Sequence, residues 1–148
     1  MAAISARSPS VPAPRPAPAG LTRDQLLELY YYMVLTRTLE AAEQLEREDG
    51  LSVEVLDLRS LLPLDDDAIV ATVRKTSRVL IVHEDTVTGG IAGEITARIN
   101  EPAFEWLDAP VRRVAAHDVP LPAAPALEDF VLAQTQDIVA AARWLAAY

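Results

Sequence analysis

No cysteine occurs in this chain, which removes both a disulfide framework and thiolate ligation of a metal. The two histidines, His83 and His117, stand far apart and give no metal-ligand spacing, so metal chemistry is not expected. Lys75 is the single lysine and the formal net charge is −9. A basic stripe tracking a phosphate backbone is therefore excluded, and no nucleic-acid partner is expected. The acidity suits a basic partner surface and is equally explained by a need for solubility. No apolar run approaches the roughly 20 residues that a membrane helix needs. No basic-then-apolar leader opens the chain either, so a soluble, cytoplasmic protein with no membrane partner is expected. With 148 residues and 51 % hydrophobic content there is room for one compact domain with a real core, but not for a second catalytic domain.

Residues 1–20 contain five prolines and no acidic residue. Proline forbids a helix there and little apolar surface can offset the ordering entropy, so a disordered Pro/Ala-rich tail is expected. At Thr22 the pattern changes to Thr-Arg-Asp-Gln, a capping box in which Gln25 reaches back, and a helix begins. Its apolar face includes Leu26, Leu29, Met33, Val34, Ala41 and Leu45, and Gly50 ends it. The stretch YYYMVL at 30–35 is rich in strand formers and admits a helix or a strand; one long helix is favoured.

SVEVLDL at 52–58 alternates briefly and is followed by Pro63, as expected of a buried parallel strand. Asp65, Asp66 and Asp67 open a helix at 66–75 that closes on Arg74 and Lys75, both ends complementing the helix dipole. RVLIVHE at 78–84 reads as a second strand, residues 88–100 as a helix and VRRVAA at 111–116 as a short third strand. A proline-rich loop at 118–125 leads to a last helix from about 135 to 148, with Ile138, Val139, Ala142 and Leu145 on its inner face.

Chemistry is sparse in these elements. The glycines at 89–93 follow a strand, where free N–H groups can cradle a phosphate, yet neither dinucleotide nor P-loop spacing is met; close helix–sheet packing is favoured. His83-Glu84-Asp85 has acid–base composition, but neighbours on a strand alternate between faces, so His83 is expected to be a strand-end histidine. No catalytic, cofactor or metal residue is assigned.

The ordered motifs LEAAEQLEREDGLSVEVLDLR, KTSRVLIVHEDTVTGG, LDAPVRRVAAHDVPLP and the terminal WLAAY resemble one family closely. They are similar to the C-terminal, transketolase C-terminal-like domain of the β part of thiamine-diphosphate-dependent 2-oxoacid dehydrogenases. HEDTVTGG looks most like the branched-chain type, especially forms with fused α and β parts, while LTRDQLLELYYYMVLTRT at 21–38 resembles the start of the α part. The resemblance implies a three-layer α/β domain at 39–148 with a mainly parallel sheet flanked by helices, preceded by a long N-terminal helix. It also implies that the sheet lacks the strand which normally precedes LEAAEQL.

In complete members thiamine diphosphate is held through magnesium by a G-D-G…N segment of the α part and activated by a glutamate of the first β domain. Neither occurs here, so no cofactor is expected in this chain. The C-terminal domain of complete members buttresses the β dimer and docks the small basic binding domain of the lipoyl-bearing acyltransferase. The docking acid of its L-[DE]-A-P motif falls on Asp108, and the terminal carboxylate on Tyr148. The implied partners are that acyltransferase domain, other decarboxylating-component subunits, or a second copy through apolar surface left uncovered. Three roles stay open: a non-catalytic docking module, an enzyme subunit completed by other chains, and a foldable deletion fragment.

Overall fold

The computed structural model describes residues 22–148, and the tail expected at 1–20 lies outside them, as does the Gln25 side chain of the capping box. The chain divides into two units, Met1–Met33 and Val34–Tyr148. Of the first, Thr22 and a helical stretch from Arg23 are described; all contacts below belong to the second.

Helix α1 comprises Arg23–Asp49 and includes 30–35, so YYYMVL is helical rather than a strand. Helix α2, Asp66–Thr76, starts as its aspartates require: the Asp65 side chain accepts the Ala68 N–H, while Asp66 and Asp67 occupy the first turn and Arg74 and Lys75 the last. Ser77 closes it in a left-handed conformation, its N–H donating to the Val73 carbonyl. Strand β1, Leu80–Thr86, passes into helix α3, Ala92–Ala103, then a 3-10 turn at Phe104–Trp106 and strand β2, Arg112–Ala116. Pro102 removes a backbone donor in the last turn of α3. Two helices complete the order, α4 at Pro125–Val131 and α5 at Thr135–Ala147, the latter opened by a reciprocal Gln134–Asp137 box.

Among the described residues β1 and β2 form a parallel two-stranded sheet, registered Leu80 to Arg112 and Val82 to Val114. Its faces meet different helices. Ile81 joins Ile69, Val73, Ile95 and Ile99 of α2 and α3, whereas Leu80, Val82 and Val114 pack against Ala41, Leu45, Ile138 and Val139 of α1 and α5. Helix pair, sheet and helix pair are three layers, the α/β architecture expected. Leu45, Val73, Ile99 and Val139 are each about 99 % removed from solvent at 1 % exposure, and burying side chains of this size contributes about 1.5–3 kcal/mol each. Polar ties reinforce the layers: Arg143 of α5 reaches Glu48 and Asp49 of α1, and Arg98 of α3 reaches Asp66 of α2.

Two expectations fail. Residues 51–60 have no regular secondary structure, and Val53 and Leu56 are 44 % and 40 % exposed, so 52–58 is not a buried strand. A strand exists only through a hydrogen-bonded neighbour, and none among the described residues lies beside it. Secondly, β1 continues to Thr86, which makes His83 a mid-strand residue rather than a strand-end one. Helix α4 was not anticipated, although Pro125 at its first turn and Glu128 just behind are helix-start signals. No helix among the described residues is long and apolar enough to cross a membrane.

Candidate docking surface

Asp108 is set by the chain on both sides of it. After the 3-10 turn Leu107 is extended, and the Asp108 N–H donates to the Ser77 carbonyl at 2.9 Å, hanging the loop on the exit of α2. Pro110 keeps the preceding residues out of a helix, and Ala109 is buried beneath the loop. The Asp108 carboxylate is left 64 % exposed, with Arg78 Nη1 3.7 Å from Oδ2.

The same arginine reaches the end of α5, its Nε donating to the Leu145 carbonyl at 3.0 Å. An arginine at the carbonyl-rich end of a helix meets the negative end of the dipole, here on a carbonyl that also accepts the Tyr148 N–H. Tyr148 follows at the terminus, 65 % exposed, its ring 5.2 Å from Trp144. The Arg112 guanidinium lies over the other ring at 4.4 Å. Asp108 and Tyr148 thus line one open cleft of about 550 Å³, together with Thr96, Asn100, Phe104, Leu107 and Pro110. Phe104 is 69 % exposed at its rim. The arrangement places the exposed Asp108 carboxylate in one open cleft with the exposed ring of Phe104.

The other sequence candidates disperse. His83 packs under Gly90, where a Cβ would collide with the His83 ring and the Thr86 carbonyl, so close packing holds at Gly90, while Gly89 and Gly93 have no such close approach. Burial lowers the His83 pKa from its ordinary value, Asp85 opposes this and Arg113 reinforces it. Glu84 instead stands 3.8 Å from Arg37 of α1, so the His-Glu pair does not converge. Asp118 accepts both the N–H and the hydroxyl of Thr88, bonds that hold its carboxyl below the usual range. Among the described residues no group of three or more His, Asp or Glu side chains could hold a metal ion. Sequence reasoning missed Arg78, Phe104 and Trp144; only the aromatic pair just before LDAP, Phe104 and Trp106, was a visible hint.

The model of the transketolase C-terminal domain matches residues 31–138. This chain belongs to the transketolase C-terminal domain family. It is 43 % identical over 110 residues to the pyruvate dehydrogenase E1 component subunit beta of Dictyostelium discoideum, covering 74 % of this chain and 31 % of the relative. Identity is 50 % over 105 residues to the subunit beta-1 of Arabidopsis thaliana, covering 71 % and 29 %. It is 40 % over 126 residues to the 2-oxoisovalerate dehydrogenase subunit beta of Bacillus subtilis, covering 84 % and 38 %. A solved split gene transketolase, described as an inactive beta4 tetramer, superposes with a TM-score of 0.66 at 30 % identity, covering 76 % of this chain and 36 % of the other. This transketolase C-terminal domain therefore spans about a third of the length of the relatives it matches, which are β subunits of 2-oxoacid dehydrogenases.

Proposed function

We propose that this chain is a truncated relative of the decarboxylating component, of the branched-chain type, that retains a docking domain for the basic binding domain of the lipoyl-bearing acyltransferase. The carrying observation is the meeting of Asp108 and Tyr148, far apart in sequence, in one exposed cleft with Phe104. The HEDTVTGG motif at 83–90 supports the branched-chain assignment. On this reading the domain grips and does not react: it binds neither thiamine diphosphate nor magnesium by itself and decarboxylates no 2-oxoacid alone.

Titration of the chain with the isolated acyltransferase binding domain at two ionic strengths tests the reading. Saturable binding that weakens with salt is expected, with Asp108→Asn weaker by about 1 kcal/mol, a low figure because the carboxylate is exposed and already faces Arg78. Equal affinity of wild type and a folded Asp108→Asn variant would reduce Asp108 to a turn residue. Calorimetric titration with thiamine diphosphate and magnesium should give no saturable heat; a binding isotherm would overturn the non-catalytic part.

A further inference from the structure

Among the described side chains, Arg74 and Arg112 are the arginines that reach no oxygen; each lies over a tryptophan instead, 4.2 Å from the Trp106 ring centre and 4.4 Å from that of Trp144. Arg78, Arg98 and Arg143 by contrast each meet a carboxylate. The chain holds 22 acidic and 13 basic residues, so a cation without a carboxylate is not short of candidates. Arg112 belongs to the surroundings of the cleft. It follows Val111, a lining residue, and its tryptophan packs 5.2 Å from Tyr148, another. Its backbone N–H donates to the Val79 carbonyl at 3.0 Å, which fixes the base of an otherwise exposed side chain. A guanidinium over an indole is attracted to the ring face and uses none of its N–H donors in that contact. Those donors are therefore oriented in advance and left open.

We infer that Arg112 determines specificity at this surface by receiving a carboxylate of the docked partner, so that the segment which fits presents an acidic side chain beside the basic one taken by Asp108. The inference rests on the docking role proposed above. Arg78 cannot serve the same purpose, because its Nε is bound to the Leu145 carbonyl and its Nη1 faces Asp108 at 3.7 Å. Arg112 is the cation left to read the partner, and a carboxylate matches the planar fork of a guanidinium through two parallel bonds. A partner that is basic throughout would be repelled by Arg112 and would bind better without it. The sign of the effect of removing Arg112 therefore separates the two kinds of partner.

Calorimetric titration of the full chain, wild type, Arg112→Gln and Arg112→Lys, with the isolated acyltransferase binding domain tests it. Arg112→Gln should weaken binding about fivefold although it removes a positive charge opposite a basic domain, and Arg112→Lys should recover part of the loss, keeping the charge without the fork. Because Arg112→Gln also uncovers Trp144, the partner supplies the deciding measurement: its Asp and Glu residues are changed singly to Asn and Gln. One of these changes should weaken binding to the wild type by the same factor and have no further effect against Arg112→Gln, a coupling that a displaced Trp144 does not produce. Unchanged or tighter binding by Arg112→Gln overturns the role of Arg112 and leaves the docking reading standing. So do losses that simply add for every acid of the partner. Absence of binding by the wild type overturns the docking reading and this inference with it.

Discussion

Arg78 stands 3.7 Å from the Asp108 carboxylate while donating to the Leu145 carbonyl at 3.0 Å, so a single side chain ties the LDAP loop to the end of the terminal helix. The two halves of that tie have opposite consequences. Arg78→Met removes a bond to a helix-end carbonyl and should lower unfolding stability by about 1 kcal/mol, read from urea midpoints. It also removes the cation facing Asp108, so on the proposed docking role binding of the acyltransferase domain at low salt should tighten about two- to fivefold. Loss of both stability and affinity would mean that Arg78 shapes the cleft rather than masking its charge.

Gly90→Ala should destabilise the fold by about 1–3 kcal/mol in thermal or urea unfolding, the range for overpacking. A Cβ there meets the Thr86 carbonyl as well as the His83 ring, and the backbone cannot step aside. Combining it with His83→Ala should therefore recover only part of the loss.

Local signals were legible where the physics is local. The aspartates before α2, its basic end and the inner face of α5 lie within a few residues of what they control, and the helices form there. Strand pairing is not local. SVEVLDL has strand composition but no described neighbour, whereas β1 runs through the polar HED, across a register irregularity, because Val82 and Thr86 on either side pair with Val114 and Ala116 of β2. The site shows the same division: Asp108 and Tyr148 emerged from resemblance alone, and their shared cleft, with Arg78 between loop and helix end, exists only once α5 has packed beside β2.

Truncations in the two segments should differ sharply. Ile99→Ala empties a site 1 % exposed between α2, α3 and the sheet, and should cost about 2–5 kcal/mol. Val53→Ala, at a position 44 % exposed and outside any strand, should change stability by no more than about 0.5 kcal/mol in the free chain. A core-like penalty at Val53 would restore 52–58 as a buried strand of the isolated domain.

Both ring nitrogens of His83 are buried without a hydrogen-bond partner among the described residues, and burial lowers its pKa from the ordinary 6.5, with Arg113 acting in the same direction and Asp85 against. The unfolded chain then binds a proton more readily than the folded one, so stability is full above the ordinary histidine range and falls as pH drops through it. The carboxylates lowered by their hydrogen bonds, Glu48, Glu54 and Asp118, contribute stability that is lost only further down, below their ordinary values of 4.5, 4.5 and 3.8, which separates the windows. Melting temperatures followed from about pH 7.5 to about pH 5.5 should decline for the wild type and stay flatter for His83→Gln, which removes the titrating ring. Parallel profiles for the two proteins would mean that His83 takes up its proton equally in both states and that its burial carries no pH dependence.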